Sequence, residues 1–210
     1  MNKRLLTFYV LAAVSIIGLT FFIQIHPISN LDLYITREIQ EQRAWNLTPL
    51  MKFISSFGNP GIAVLSIIIA SSYFFLTYRR REAYFTLTVI PADLCNMLLK
   101  ILIHRPRPTL ENAKIVLQFT QSGFPSAHVV HYVVFFGFLL AVMFVHKNIP
   151  LFLRIFVGTL SAFLILTVSI SRIYLGAHWA TDVLGGYLFG CVYLGVMLKF
   201  YIKDLKFKYP

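Results

Sequence analysis

The sequence predicts an all-α, polytopic membrane protein. Of its 210 residues, 58% are hydrophobic and 13% charged, where a soluble domain carries about 25% charged residues. The apolar residues fall into repeated stretches of membrane-spanning length, and the basic residues gather at the ends of those stretches. Lipid is the solvent that such a pattern fits.

Six spans are expected, roughly Leu5–Ile25, Ile62–Tyr78, Ala83–Ile103, Val129–Val145, Leu151–Ile170 and Val183–Tyr201. A helix needs ~17–25 apolar residues to cross the hydrocarbon core. Lys3-Arg4 before the first stretch resembles the start of a signal peptide. The stretch is too long for that and lacks a small-residue cleavage site, so it reads as a retained helix. With no internal repeat or composition break, residues 1–210 read as one six-span unit.

Two connections are long. Between His26 and Gly61, the residues Leu31, Tyr34, Ile35 and Ile39 recur at helical spacing among Asp32, Arg37, Glu38 and Glu41. This predicts a short amphipathic helix in the first outer loop, apolar side towards the membrane interface. The connection from His104 to Phe124 holds Pro106, Pro108 and Gly123 and reads as irregular.

The net charge of +11 raises nucleic acid as a partner, but its distribution argues otherwise, and no nucleic-acid-binding signature is present. Lys3-Arg4, Arg79-Arg80-Arg81 and Lys199 to Lys208 sit at span ends, where the positive-inside rule places them. With both termini in the cytoplasm, eleven basic residues lie inside: Lys3, Arg4, Arg79 to Arg81, Lys147, Arg154, Lys199, Lys203, Lys206 and Lys208. Eight lie outside: Arg37, Arg43, Lys52, Lys100, Arg105, Arg107, Lys114 and Arg172. Three of the eight are candidates for chemistry, so the count favours this orientation in the cell membrane. Cys95 and Cys191 fall within apolar stretches and read as small buried hydrophobes.

Six spans bring three polar clusters to one membrane face. The first is Lys100 with Arg107-Pro108; alone, Lys100 reads as a snorkelling lysine. Pro106 and Pro108 alternate with Arg105 and Arg107 and fix where the guanidiniums point. The second is Phe124-Pro125-Ser126-Ala127-His128 at the start of span four. A helix N-terminus attracts anions through its unpaired N–H groups, and Ser126 also suits an ordinary N-cap. The third is Ser171-Arg172 followed by His178 and Asp182. Four residues apart, the last two share a helix face, so the carboxylate holds the imidazole in one tautomer and leaves the other nitrogen free to attack. A salt-bridged helix start is the plainer account of that pair.

Together the clusters direct three cations towards two histidines and a carboxylate. Lys100, Arg107 and Arg172 repel one another unless an anion lies between them, and a phosphoryl group has the charge and the oxygens for it. The same repulsion opposes a zinc ion on His128, His178 and Asp182.

In this order, K-x6-R-P, P-S-x-H and S-R-x5-H-x3-D resemble the three signature motifs of the type-2 phosphatidic acid phosphatase family, which shares its site with vanadium haloperoxidases. The motif-bearing stretch runs from Lys100 to Asp182, and the six-span plan is similar to the family's membrane branch. The resemblance implies a lipid phosphatase without a metal or other cofactor. It implies that His178 is the nucleophile and forms a phosphohistidine, that Asp182 orients it, and that His128 is the general acid and then base. Lys100, Arg107, Ser126, Ala127 and Arg172 would hold the phosphoryl oxygens. The family's second motif usually has glycine where Ala127 stands. A positive φ there would cost alanine roughly 1 kcal/mol or more; a helix-opening position predicts ordinary helical dihedrals instead.

The implied substrate is a lipid phosphate or diphosphate: a polyprenyl diphosphate, phosphatidylglycerol phosphate, phosphatidate or a lipid A phosphate. A lipid phosphotransferase would use the same phosphohistidine. A channel or transporter that only binds anions would have no need of the His178–Asp182 pair, and haloperoxidases are soluble. Of the other polar residues, Asp93 and Asn96 inside span three read as structural. His131 reads as pocket lining or core, Tyr174 and Trp179 as interfacial anchors, and His26, His104 and His146 as loop or interface residues.

Overall fold

The computed structural model describes residues 3–41, 44 and 46–208, without the side chains of 3–6 and 204–208. Arg43 and the side chains of Lys3, Arg4, Lys206 and Lys208, all used in the charge count, lie outside that description. The described residues are helical, with no strand. In chain order the helices are α1 (Lys3–Ile25), α2 (Asn30–Glu41), α3 (Leu47–Ser56), α4 (Pro60–Leu76), α5 (Arg80–Leu87) and α6 (Val89–Ile103). After the long connection come α7 (Ala127–His131), a π-helical turn (Tyr132–Phe136), α8 (Gly137–Val145), α9 (Leu151–Tyr174) and α10 (Ala180–Lys208).

Among these, five segments are long and apolar enough to cross a membrane: Thr7–Ile25, Arg80–Ile103, Ala127–Val145, Leu151–Tyr174 and Ala180–Lys203. A sixth is the pair α3 and α4, bent by 57° at Gly58-Asn59-Pro60. The expected spans are therefore present, with two differences. Span two is the second limb of a bent pair whose first limb, α3, was not expected. Span five continues to Tyr174 and carries Arg172 on its last turn.

Ala127–Val145 is the centre of the bundle, 72% buried, while α1 is 11% buried and packs against α10. On α1, Leu11, Val14, Ile17 and Phe21 are each more than 60% exposed. An apolar surface this extensive is a lipid-facing one. Around the central span, Val129, Val130, Val133, Val134 and Phe138 form the core with Ile67, Val89, Leu164 and Val168.

One expectation is met with an addition, and three are corrected. Helix α2 is amphipathic as expected, with Leu31 and Tyr34 turned outward, 54% and 62% exposed; what it adds is that Asp32, Thr36 and Gln40 face the protein. Inside, Asp32 and Gln40 meet charged side chains and polar backbone, while Arg37 and Glu38 stay exposed. Tyr174 and Trp179 are not interfacial anchors: both are buried, Trp179 donating to Pro106 O and Tyr174 to Ala44 O. Cys95 and Cys191 are free thiols on the outside of the bundle, not in its core. His146 is held by Glu82 and Tyr201 and is no free loop residue.

Candidate active site

Motif residues arrive from three directions at the end of the bundle where α6 ends, α7 begins and α9 turns into α10. Lys100 lies on the last turn of α6, which stops at His104 in a left-handed conformation (φ 48°). The lysine does not snorkel. It is 7% exposed, and Nζ donates to Ser122 O at 2.7 Å and Gly123 O at 3.3 Å. The His104–Pro125 connection thus folds back over the helix that precedes it, closed further by Gly123 N donating to Arg105 O at 2.8 Å.

Arg107 is fixed by that connection. Its Nε donates to Gln121 O at 2.6 Å and its Nη1 to Ala177 O at 2.7 Å. Nη1 also lies 3.4 Å from His178 Nε2. An arginine only donates, so this contact requires a lone pair on Nε2 and places the proton of neutral His178 on Nδ1. Nδ1 in turn faces Asp182 Oδ2 at 3.3 Å. Burial pushes the Arg107 guanidinium down to about 10, with Asp182 opposing. A shallow cavity of about 270 Å³ opens beside Arg107, lined in part by Phe119 and Ser122.

His178 lies in the turn before α10, so the pair is not two positions of one helix as the spacing suggested. Gly176, with φ 68°, makes the turn; a Cβ there would fall 2.5 Å from Lys114 O. Asp182 is in the first turn of α10 and reaches back to Trp179 N at 3.0 Å. That is the acidic half of a capping box, and it fixes the carboxylate while Oδ2 remains turned to His178. Both residues are fully buried. Burial, then Arg107, Arg172 and Lys100, hold the imidazole well below the ordinary histidine range, so it is neutral and nucleophilic near neutral pH.

Arg172, 1% exposed, donates Nη1 to Ser55 Oγ at 2.6 Å, and its Nε has no partner within the protein. The bent pair α3–α4 supplies that serine and also walls the second histidine. His128 Nε2 lies 3.4 Å from Asn59 Oδ1, and a Cβ at Gly58 would fall 2.6 Å from His128 Cγ. His128 is near enough to Arg172 and His178 to interact with both electrostatically. Ser126 precedes α7, yet its Oγ makes no capping bond and is buried without a partner. Its N–H donates to Asp182 O at 3.1 Å, joining the second and third motifs. Ala127 opens α7, and positive φ among described residues other than glycine is confined to Tyr78 and His104, so the alanine is unstrained.

Two contributors were not read from the sequence. Phe119 lies against both guanidiniums, 4.7 Å from Arg107 and 5.1 Å from Arg172, and its π-face offsets part of their repulsion. An aromatic in an irregular loop gives no prior sign of this. The other is Asp32 on α2, which ion-pairs with Arg105 at 2.7 Å; a regular Asp32, Thr36, Gln40 stripe was the available sign. Away from the cluster, Asp93 pairs with His131 at 2.9 Å, a helix-to-helix contact as expected, and Asn96 is buried.

The arrangement can hold a tetrahedral oxyanion against a neutral imidazole whose far nitrogen is braced by a carboxylate. Fold and site together define a multi-pass helical membrane protein with a buried histidine–aspartate pair among three cations.

The PAP2 superfamily profile matches residues 81–206, and the chain belongs to that family. Phosphatidylglycerophosphatase B of Bacillus subtilis (strain 168) is 29% identical over 160 residues, 75% of this chain and 74% of that protein. The crystal structure of a transmembrane PAP2-type phosphatidylglycerolphosphate phosphatase from Bacillus subtilis matches with a TM-score of 0.80, covering 92% of this chain and 96% of that one at 24% identity. LpxE of Aquifex aeolicus matches with a TM-score of 0.64, covering 82% and 97% at 20% identity. These two share the fold.

Proposed function

We propose that this protein is an integral membrane lipid phosphatase, acting as one six-span unit of 210 residues. The observation that carries the reading is the placement of Lys100, Arg107 and Arg172 around a buried neutral His178, with Arg107 3.4 Å from the attacking nitrogen. Family membership and the relatives named as phosphatidylglycerophosphate phosphatases support it.

His178 Nε2 attacks phosphorus, and the bond from phosphorus to the lipid oxygen breaks. His128 gives its proton to the departing lipid alkoxide. As the N–P bond forms, the ring becomes cationic and the Asp182 carboxylate stabilises it. Water then attacks the phosphohistidine, His128 takes its proton, and inorganic phosphate leaves with His178 restored. Lys100, Arg107, Arg172, Ser126 and the N–H groups opening α7 at Ala127 hold the phosphoryl oxygens throughout. The cations perform the charge neutralisation that a metal performs in other phosphatases.

The substrate is a membrane lipid carrying a phosphate ester, for which phosphatidylglycerol phosphate is the first candidate to assay. Phosphate release from a panel of detergent-solubilised lipid phosphates, including phosphatidate and a polyprenyl diphosphate, tests the reading. Activity is expected to persist in EDTA and to fall with vanadate, which mimics the pentacoordinate phosphoryl group. Activity lost in EDTA and restored by a divalent metal would overturn the mechanism.

The charge distribution supports cytoplasmic termini and an outward-facing site. Asn112 and Arg80 are exposed near opposite ends of the bundle. In a background lacking Cys95 and Cys191, Asn112→Cys should react with an impermeant thiol reagent in intact cells. Arg80→Cys should react only after the membrane is opened. The reverse pattern would turn the site inward.

A further inference from the structure

The three motifs account for His178 and Asp182 but not for what stands behind them. Asp182 Oδ2 is occupied by Trp179 N and His178, and Oδ1 takes Arg105 Nη1 at 2.6 Å. Arg105 is 3% exposed, and its other terminal nitrogen, Nη2, donates to Asp32 Oδ2 at 2.7 Å. Its Nε donates to Pro27 O at 3.0 Å, so the planar fork is filled and cannot swing.

Asp32 is fully buried as well. Its Oδ1 accepts from Thr181 N at 2.9 Å and Thr181 Oγ1 at 2.8 Å, and Oδ2 accepts from Ser29 Oγ at 2.8 Å. Thr181 adjoins Asp182, and Arg105 Nη1 also reaches Thr181 Oγ1 at 2.6 Å. A continuous buried chain therefore runs Ser29, Asp32, Arg105, Asp182, His178. It begins at the residue before α2, a helix whose apolar side is turned outward, and ends on the proposed nucleophile.

We propose that Asp32 and Arg105 are positioning residues of the phosphatase reaction, a buried carboxylate–guanidinium relay that sets the place and the charge of Asp182. The inference rests on the phosphohistidine reading above. Arg105 holds the Asp182 carboxylate from the side opposite His178, so the carboxylate supports the ring without drifting towards the cations. Asp32 counterbalances Arg105, so that Asp182 keeps enough negative charge to stabilise the cationic ring of the phosphoenzyme. Lysine at 105 could not serve both carboxylates in one plane.

The test exploits charge sign. Groups facing His178 are Lys100 from α6, Arg107 from the connection, Arg172 from α9, Asp182 from α10 and His128 from α7. None of these changes in Asp32→Asn, which leaves Arg105 less balanced and the site more positive. Its kcat should fall ~10–100-fold, the usual effect of a second layer behind a reacting group, with KM little changed. The acid limb of its pH–rate profile should move to lower pH. Arg105→Gln leaves Asp182 uncompensated, favours the imidazolium, and should move that limb to higher pH. In the Arg105→Gln background, Asp32→Asn should have a much smaller further effect on kcat, since Asp32 then reaches Asp182 only by way of Thr181.

A merely structural role would lower the yield of folded protein and leave the limb in place. Wild-type kcat and limb in Asp32→Asn would overturn the proposal, and so would an equal loss of kcat in both backgrounds. If Arg105→Gln does not fold, the limb of Asp32→Asn decides alone: movement to lower pH supports the relay, and an unmoved limb overturns it. His178→Ala is the control. Turnover in that variant would remove the phosphohistidine reading itself, whereas an inactive His178→Ala beside an unaffected Asp32→Asn would remove only the relay.

Discussion

Each end of the bundle contains a histidine facing a carboxylate, fully buried at one end and part-buried at the other. At one end, His178 Nδ1 lies 3.3 Å from Asp182; at the other, His146 Nε2 lies 2.9 Å from Glu82. The second pair is the tighter, yet nothing about it suggests chemistry. His146, Glu82 and Tyr201 satisfy one another, with Tyr201 Oη donating to Glu82 at 2.9 Å, and Arg81 rests on the Tyr201 ring at 4.5 Å. Those contacts fasten α5, the end of α8 and α10 together. At the first end the network stops short of closure: Ser126 Oγ and Arg172 Nε are buried without a partner, and Arg107 points a donor at the imidazole nitrogen that Asp182 does not use. A histidine–carboxylate pair becomes a candidate for catalysis through the unspent donors and like-signed cations around it.

Replacing each histidine is the strongest way to break that contrast. His178→Ala should lower phosphate release by on the order of 10³-fold or more, measured on a detergent-solubilised lipid phosphate. His146→Ala should keep turnover within a few-fold. Its loss should appear in thermal unfolding, since Glu82 and Tyr201 stay buried without their partner, at about 1–3 kcal/mol. Turnover surviving the first and vanishing in the second would invert the assignment.

Next in size, Arg172→Ala should cost ~10²–10³-fold in kcat, the scale of one lost oxyanion donor. Ser126→Ala removes a neutral donor that caps nothing, so it should cost less than Arg172→Ala while leaving the unfolding temperature unchanged. A fall in stability equal to the fall in rate would make Ser126 a helix cap after all.

The smallest effect concerns pH. His178 is held below its ordinary value of 6.5 by burial and by Arg107, Arg172 and Lys100, so it is protonated only at lower pH than a free histidine. Nucleophilic attack needs the neutral ring. The acid limb of kcat against pH should therefore fall below about 6.5. A limb above that value would mean that Asp182 outweighs the cations.

The sequence disclosed the site further than the scaffold around it. Lys100, Arg107, Ser126, His128, Arg172, His178 and Asp182 are legible because chemistry constrains both their type and their spacing. Helix α2 was legible as an amphipathic helix, but its buried polar stripe was not. The amphipathic rule assigns the apolar side to the protein or the interface, and here Asp32 and Gln40 bind inward while Leu31 looks out. Tyr174 and Trp179 were misplaced for a related reason. Aromatics at span ends suit the headgroup region and the buried turn equally, and only the partners Ala44 O and Pro106 O decide. The limb α3 escaped notice because Ile54 and Ser55 face a neighbouring span whose position no local pattern announces.

The π-helical turn at Tyr132–Phe136 gives the central span two phases. A π turn accommodates one residue more than an α turn, and one residue is about 100° of rotation at 3.6 residues per turn. The stretch bearing His128 and the stretch bearing Phe138 are thus offset like two gears on one shaft, one indexed to the reacting centre and the other to the apolar packing. Removing a single residue between 132 and 136 would put the shaft back in phase: the lower gear could still mesh with α9 while His128 turned away from the phosphoryl group. The extra residue thus aims His128, the proposed acid, at one wall of the bundle while Phe138 keeps its place in the core.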